Sequence, residues 1–164
     1  MNIQHITSKD YPQMREILYE AIFVPPHEKP YSKDILDLPQ IDKYVAQWDP
    51  QKDFGYMVME NCECIGAVWC RLFGEENKGY GFVDFDTPEL TIALKPPYRN
   101  KGLGEKMMEK ILKIAKKKGH KKISLSVDKG NPAIRFYKRL GFAIFEENEY
   151  DYIMTISITL KRKA

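Results

Sequence analysis

The sequence predicts a single α/β domain, and three observations carry this prediction. Residues 89–94 alternate polar and apolar side chains, as a β-strand does, and two prolines end the pattern. Apolar residues at helical spacing follow over 103–115, and strand-like alternation returns at 123–127. At 164 residues, of which 43% are hydrophobic, the chain is long enough for one domain with its own core, which we place at 1–164.

The other elements follow from the same two periodicities, helical and alternating. Ser8 or Asp10 is suited to cap the first helix, because either side chain can accept from a free N–H of the first turn. In chain order we expect a strand at 3–7, a helix burying Met14 to Ile22, a second helix over 41–48, a hairpin over 53–73 with its turn at 61–63, a helix over 132–140 and a last strand from Tyr152 to Leu160.

Charge and composition narrow the classes of function. A net charge of +3 suits an anionic cofactor but is too small to indicate a nucleic-acid binder. The basic run at 116–122 fits the end of a helix, where lysines complement the dipole and Gly119 suits a left-handed cap. No apolar run reaches membrane-spanning length and no signal segment opens the chain, so we expect a cytoplasmic protein without a membrane partner.

No metal site is expected. The three cysteines are Cys62, Cys64 and Cys70, and the three histidines are scattered along the chain. A metal would need further ligands at close spacing, so reduced and structurally neutral thiols are the prediction.

The turn that follows the central strand carries the strongest functional signal. It contains R-x-x-G-x-G, from Arg99 to Gly104, directly before a helix. The first N–H groups of a helix lack partners within it, the dipole adds positive charge, and glycine lets the backbone approach a phosphate. The spacing does not fit a Walker A loop, and a dinucleotide fingerprint needs a glycine where Met107 stands. We therefore predict an anion site of another kind.

Two motifs resemble those of the GNAT superfamily of N-acetyltransferases. The stretch from Ile92 to Gly104 looks like the family's acetyl-CoA signature. The stretch from Asn131 to Phe142 is similar to its later motif, in which an Asn opens a helix that ends in Tyr-x-x-x-Gly-Phe. The resemblance implies the GNAT fold, a mixed central β-sheet flanked by helices, with acetyl-CoA as the acetyl donor.

The resemblance also implies which residues bind the cofactor. The strand would pair with the pantetheine arm, the turn's amides would hold the pyrophosphate, and Asn131 would bond the pantetheine or the backbone near it. Only Pro132 separates Asn131 from Ala133, where many members have two residues, so the start of this helix is open by one position. The implied set is Ile92, Ala93, Leu94, Arg99, Asn100, Lys101, Gly102, Leu103, Gly104, Asn131, Ala133, Phe136 and Tyr137.

Acetyl transfer from a thioester to an amine needs a neutral amine, a polarised carbonyl and a proton for the leaving thiolate. The resemblance assigns the proton to Tyr137, since a phenol with a pKa of about 10 is protonated at neutral pH; packing against the cofactor is the alternative role. Glu89 lies where many members carry a glutamate base. A register error of one residue would turn it to the other face, and Asp84 and Asp86 are alternatives.

The sequence therefore predicts an acetyl-CoA-dependent N-acetyltransferase that acts directly on a primary amine of a small molecule or peptide. A catalytically silent acyl-CoA-binding or partner-binding module is the alternative from another class, and a longer acyl donor is the alternative among enzymes. The acceptor and homodimer formation are left open. Four aromatic residues are candidates for the acceptor-binding wall, with the core as their alternative place: Phe23, Tyr31, Tyr44 and Trp48.

Overall fold

The computed structural model describes residues 1–158. Its strands are β1 (Asn2–His5), β2 (Phe54–Glu60), β3 (Glu63–Arg71), β4 (Glu89–Leu94), β5 (Lys122–Asp128), β6 (Ala143–Glu147) and β7 (Asp151–Ser157). Its α-helices are α1 (Tyr11–Ala21), α2 (Pro39–Asp42), α3 (Leu103–Lys117) and α4 (Ala133–Leu140), and 3-10 helices lie at Ser8–Asp10, Lys33–Asp37 and Pro96–Tyr98.

The strands form one mixed sheet in the order β1-β2-β3-β4-β5-β7-β6. β4 and β5 run parallel, because α3 carries the chain back between them. The pairs β1–β2, β2–β3, β5–β7 and β6–β7 are antiparallel. The α/β class and the mixed sheet with flanking helices are thus confirmed, while a single domain over the whole of 1–164 stays a prediction.

The described chain forms two compact units. The first consists of Met1–Arg71 and Thr91–Ile111, and the second of Leu72–Leu90 and the chain from Leu112 onward. In the first unit, β2 and β3 are buried over most of their length, since apolar side chains cover both of their faces. α1 buries Met14, Ile17 and Leu18, as its helical spacing predicted, but it ends at Ala21, and Ile22, the last residue of the predicted buried stretch, is partly exposed.

A buried arginine organises one end of the first unit. The guanidinium of Arg71 pairs with the carboxylate of Asp53 at 3.0 Å, and both side chains are almost fully buried. It also donates to the backbone oxygens of Lys43, Ala46 and Gln47 at 2.7, 2.5 and 2.9 Å. The carboxylate neutralises the cation, and these four acceptors together use its fixed donors, which is what a buried arginine requires.

The predicted second helix over 41–48 is wrong in its length. Helical structure ends at Asp42, and the chain continues in turns. In a helix, the backbone oxygens of these turn residues would accept from N–H groups one turn further along. Here the oxygens of Lys43 and Ala46 accept from Arg71, and the oxygen of Tyr44 accepts from Nε1 of Trp69. Tertiary hydrogen bonds therefore override the helical spacing of the apolar residues.

The cap of the first helical segment is Thr7, where the sequence predicted Ser8 or Asp10. The Thr7 hydroxyl accepts from the N–H of Lys9, and the Asp10 carboxylate accepts from the N–H of Thr7 at 2.7 Å. This reciprocal pair is a capping box. Asp10 therefore takes part in the capping box, but from the third position of the helical turn and not as the cap itself.

The hairpin between β2 and β3 turns at Asn61 and Cys62, within the predicted segment. Both residues have positive φ, 50° and 64°, as a tight two-residue hairpin turn requires. Cys62 is exposed at this tip, whereas Cys64 and Cys70 are buried. Burial raises the pKa of the Cys64 thiol.

α3 has the predicted apolar stripe with one addition. Leu103, Met107, Ile111 and Ala115 are buried as expected, and Met108, which the sequence assigned no role, is fully buried too. Leu112 and Ile114 were predicted to be buried and are partly exposed. Gly119 ends the helix with φ of 87°, and the N–H of His120 bonds to the oxygen of Ala115, the pattern of a left-handed cap.

The second unit contains the predicted strand at 123–127. Ile123, Leu125 and Val127 are buried on one face of β5. The last strand also forms, but Leu160, which the sequence placed in it, lies outside the described residues. At the sheet edge, every residue of β6 is exposed.

Removal of the Arg71 cation should destabilise the protein strongly. Arg71→Met leaves the buried Asp53 carboxylate without its partner, and the expected loss of unfolding free energy is about 3–5 kcal/mol. Arg15→Met is the matched control, since Arg15 pairs with the exposed carboxylate of Asp37; its loss should be at most about 1 kcal/mol. Urea unfolding measures both, and equal losses would contradict the assigned role of Arg71.

Candidate functional site

In the first unit, the turn between β4 and α3 presents backbone N–H groups. After the 3-10 helix Pro96–Tyr98, the chain reverses at Asn100 and Gly102, whose φ values are 61° and 83°. A Cβ on Gly102 would meet no heavy atom within 4 Å, so the turn is open at that point. The N–H of Lys106 bonds to the oxygen of Gly102, and the N–H groups of the preceding helical turn point out from the helix start. The predicted anion site therefore has the required backbone form.

Lys95 fixes the start of this turn. Its ammonium group lies 2.8 Å from Glu16 on α1 and 2.9 Å from Glu63 at the start of β3. The hydrogen bonds to Glu16 and then to Glu63 raise the pKa of Lys95 above its ordinary value, so the cation is retained at any physiological pH. Only 16% of the lysine side chain is exposed. This cluster could not be predicted from the sequence, because its three members are far apart in the chain.

Two further side chains fix the turn beyond Lys95. Nε of Arg99 donates to the oxygen of Leu94 at 2.8 Å, and its guanidinium lies 3.3 Å from Glu20 on α1. The Tyr98 hydroxyl bonds to Glu60, which raises the pKa of that phenol. Arg99 was predicted to bind the cofactor, and its side chain is instead occupied within the protein.

β4 approaches β3 closely where the predicted pantetheine-binding residues lie. A Cβ on Gly66 would come within 2.4 Å of the Leu94 side chain and 3.0 Å of the Ala93 oxygen. The N–H of Lys95 donates to the oxygen of Ile65 at 2.8 Å. Ile92, Ala93 and Leu94 are all partly exposed, as residues that contact a ligand must be.

In the second unit, Glu89 is the buried acid. Its side chain is only 4% exposed, and its Oε1 accepts from the N–H of Gly81 at 2.9 Å. Of the two alternatives, Asp86 is exposed. Partial burial acts to raise the pKa of Asp84, but hydrogen bonds from Thr87 and from the Asp86 N–H, together with Lys122, lower it below the ordinary value. Asp84 is thus poorly suited to take up a proton.

α4 begins at Ala133, which settles the open helix start. Oδ1 of Asn131 accepts from the N–H of Ala133 at 2.9 Å, so this side chain stabilises the first turn. The helix ends at Gly141, whose φ is 111°. Asn131 was predicted to bond a cofactor or the backbone near it, and the backbone bond is the one observed.

Tyr137 lies on α4 among aromatic rings. Its ring centroid is 5.6 Å from that of Phe136 and 5.8 Å from that of Phe142, the second in edge-to-face geometry. Burial raises the pKa of Tyr137 to about 12. Within residues 1–158 its hydroxyl has no hydrogen-bond partner. The phenol is therefore protonated at neutral pH and can donate to a ligand.

The four candidate wall aromatics have different environments. Tyr44 is buried in the core of the first unit, and Tyr31 is exposed. Phe23 and Trp48 are partly exposed, and the Trp48 ring lies 5.9 Å from the Arg71 guanidinium. In the described part of the chain no helix has the length and hydrophobicity to cross a bilayer, and no three His, Cys, Asp or Glu side chains cluster as a metal site.

Comparison with known proteins identifies the family to which a chain with this turn and this mixed sheet belongs. The family model described as acetyltransferase (GNAT) family matches residues 12–142. Since the match covers most of the sequence, the chain belongs to this family.

The relatives include N-alpha-acetyltransferase 50 of Danio rerio, 28% identical over 149 residues, which are 90% of this chain and 77% of that protein. Probable N-acetyltransferase san of Drosophila melanogaster is 32% identical over 113 residues, 68% of this chain. The matched part of this chain spans only 58% of the fly protein's length.

Solved structures show the same fold. The PaiA N-acetyltransferase of Thermoplasma acidophilum, in complex with coenzyme A, superposes with a TM-score of 0.63 over 96% of this chain and 99% of that one, at 22% identity. YncA of Salmonella typhimurium, with acetyl-CoA, gives a TM-score of 0.68 over 100% and 97%, at 18% identity.

Loss of the Lys95 cation should loosen the turn. In Lys95→Met the two glutamates keep their charges but lose the group between them, and the unfolding free energy should fall by about 1 kcal/mol at low salt. Amide hydrogen exchange at Arg99 and Asn100 should become faster. Lys78→Met, which removes an exposed ion pair with Glu75, is the control. It should change neither the unfolding free energy nor the exchange rates of these two amides. Unchanged exchange in Lys95→Met would contradict the anchoring role.

Proposed function

We propose that the protein is an acetyl-CoA-dependent N-acetyltransferase that moves an acetyl group directly to a primary amine of a small molecule or peptide. The observation that carries the proposal is the open turn with positive φ at Asn100 and Gly102, which begins a 15-residue helix in a member of the acetyltransferase (GNAT) family. Phosphates bind at such helix starts because N–H groups and the dipole both favour negative charge.

The cofactor would lie along β4 and the turn. Ile92, Ala93 and Leu94 would bond the pantetheine arm through their backbone groups. Six turn residues would surround the pyrophosphate, mainly through N–H groups: Arg99, Asn100, Lys101, Gly102, Leu103 and Gly104. For Arg99 the backbone is the contact that we propose, since Glu20 and the Leu94 oxygen already occupy its side chain.

Four residues of the later motif would act near the thiol end of the cofactor. Asn131 would hold the start of α4, as its bond to Ala133 supports. Ala133 and Phe136 would line the thiol end, and Tyr137 would face the sulfur.

In the proposed reaction, acetyl-CoA supplies an activated acetyl group, and the acceptor nitrogen attacks its carbonyl carbon. Backbone N–H groups near Ile92 to Leu94 would stabilise the oxyanion. Glu89 would take the proton that the amine releases, as its burial on the sheet supports. Tyr137 would give its proton to the departing thiolate, as its protonated phenol and the lack of a hydroxyl partner within residues 1–158 support. No side-chain nucleophile is needed.

The acceptor is either a peptide α-amine or a small-molecule amine. The names of N-alpha-acetyltransferase 50 and of N-alpha-acetyltransferase 30 of Schizosaccharomyces pombe, the latter 28% identical over 137 residues, favour the first. The mycothiol acetyltransferase of Corynebacterium glutamicum, 35% identical over 121 residues, favours the second, although those residues are 41% of that protein.

An acceptor screen that follows release of free CoA tests the function. It should compare peptides with free and with blocked N-termini, amino acids, aminoglycosides and simple amines. Turnover with one class supports the proposal and identifies the acceptor. Tight acetyl-CoA binding with no turnover on any class would instead support a catalytically silent acyl-CoA-binding module. Acyl donors of increasing length test the donor preference. Sedimentation decides whether the protein forms a homodimer, and cell fractionation tests the predicted cytoplasmic location.

Bulk and negative charge at the turn should prevent cofactor binding. Gly104→Glu places a carboxylate on the first helical turn, where it would repel the pyrophosphate, and acetyl-CoA affinity should fall at least about 100-fold. Gly74→Glu makes the same chemical change in a loop where a side chain meets open space, and its affinity should be unchanged. Calorimetry on the folded variants measures both, and normal binding by Gly104→Glu would remove the turn from the cofactor site.

Removal of the Tyr137 hydroxyl should slow the reaction more than it weakens binding. Tyr137→Phe keeps the ring contacts, and because the hydroxyl has no partner within residues 1–158, the melting temperature should not fall. Single-turnover acetylation should be about 100-fold slower, with acetyl-CoA affinity nearly unchanged. Tyr150→Phe, at an exposed tyrosine, is the control. An equal loss of rate and affinity would show that Tyr137 orients the cofactor.

A further inference from the structure

Gly81 and Glu89 meet at a place where no side chain would fit. The Gly81 N–H donates to Oε1 of Glu89 at 2.9 Å. A Cβ on Gly81 would lie 2.7 Å from the carbonyl carbon of Leu125, 2.8 Å from the nitrogen of Ser126 and 3.1 Å from Cδ of Glu89. The loop at Gly81 therefore rests directly on the backbone of β5, and this contact sets the distance between its N–H and the carboxylate.

Ser124, which is paired with Glu89 on the neighbouring strand, has a buried hydroxyl without a partner in the described chain. Ser124 is the register partner of Glu89 across β4 and β5, and paired residues on neighbouring strands point to the same face. Its side chain is fully buried, and within the described chain its Oγ makes no hydrogen bond. The next hydroxyl on that face of β5, Ser126, does have a partner, since it bonds to Asp151 at 3.0 Å.

An unpartnered buried hydroxyl is unfavourable, because the group has lost its hydrogen bonds to water without gaining others. Buried polar groups almost always have a partner in the protein or a bound water. A hydroxyl beside a carboxylate offers such a water both a donor and acceptors. The Ser124 hydroxyl therefore marks a position for a small polar group next to Glu89.

We infer that Gly81 is a positioning residue for Glu89, holding its carboxylate beside the Ser124 hydroxyl so that Glu89 and Ser124 together bind the water that carries the proton away from the acceptor amine. This inference rests on the proposed function. The amine proton passes to the water oxygen while one proton of that water passes to Glu89, and the nitrogen lone pair becomes available for attack on the acetyl carbonyl carbon. Ser124 orients the water and keeps its own proton.

Two glycines of one loop provide a matched test. Gly81→Ala forces the loop away from β5 and separates its N–H from Glu89, whereas Gly74→Ala adds the same methyl group where nothing lies within 4 Å. We expect kcat to fall about 10- to 100-fold in Gly81→Ala, with the Kd of acetyl-CoA unchanged, and we expect Gly74→Ala to behave as the wild type. A folded Gly81→Ala variant with normal kcat would overturn the inference.

A double-mutant cycle separates positioning from a general structural effect. Glu89→Gln removes the proposed base, so Gly81→Ala should lower kcat no further in that background. If Gly81→Ala causes the same fold-loss with and without Glu89, it does not act through Glu89, and the inference fails.

Ser124→Ala tests the inferred water site even if Gly81→Ala does not fold. Because the hydroxyl has no protein partner within residues 1–158, its removal should leave the melting temperature unchanged or higher, while kcat falls about tenfold. Unchanged kcat would overturn the inference and leave the acetyltransferase proposal intact. Failure of the wild type to acetylate any amine would instead overturn the proposed function, so the two failures are distinguishable.

Discussion

The turn between β4 and α3 is anchored by one cation held between two carboxylates. Lys95 is the residue at which β4 stops being a strand, and its ammonium group joins α1 through Glu16 and the β2–β3 hairpin through Glu63. Three elements that are distant in sequence thereby meet at the last residue before the turn. These ion pairs, together with the bonds that Arg99 makes to Leu94 and Glu20, tie the turn that presents the N–H groups to the rest of the unit.

Two buried polar clusters in the described chain differ in how fully their hydrogen bonds are satisfied. Around Arg71, a carboxylate and three backbone oxygens use the donors of one guanidinium, which makes this cluster a structural support. Beside Glu89, which accepts from the N–H of Gly81, the hydroxyl of Ser124 on the neighbouring strand has no partner in the described chain. A fully bonded cluster stabilises a fold, whereas an unpartnered hydroxyl next to a buried acid marks a position that a small polar group can occupy.

The elements that the sequence predicted are those whose pattern is local. The alternation of β5, the stripe of α3 and the cap at Gly119 all follow from periodicity or from one residue's φ preference. The second helix failed because the oxygens of 43–47 accept from Arg71 and Trp69, which no local pattern records. For the same reason the sequence indicated Glu89 as a candidate base but gave no sign of Gly81, whose role depends on contact with a strand more than forty residues further on.

The hairpin tip gives this protein a natural chemical handle. Of its three thiols, only that of Cys62 is open to solvent, and burial holds the Cys64 thiol in its protonated, unreactive form. A maleimide dye will therefore attach at a single position without any engineered cysteine. That position directly precedes Glu63, so the dye's fluorescence can follow whether the contact between the hairpin and Lys95 is intact as ligands are added.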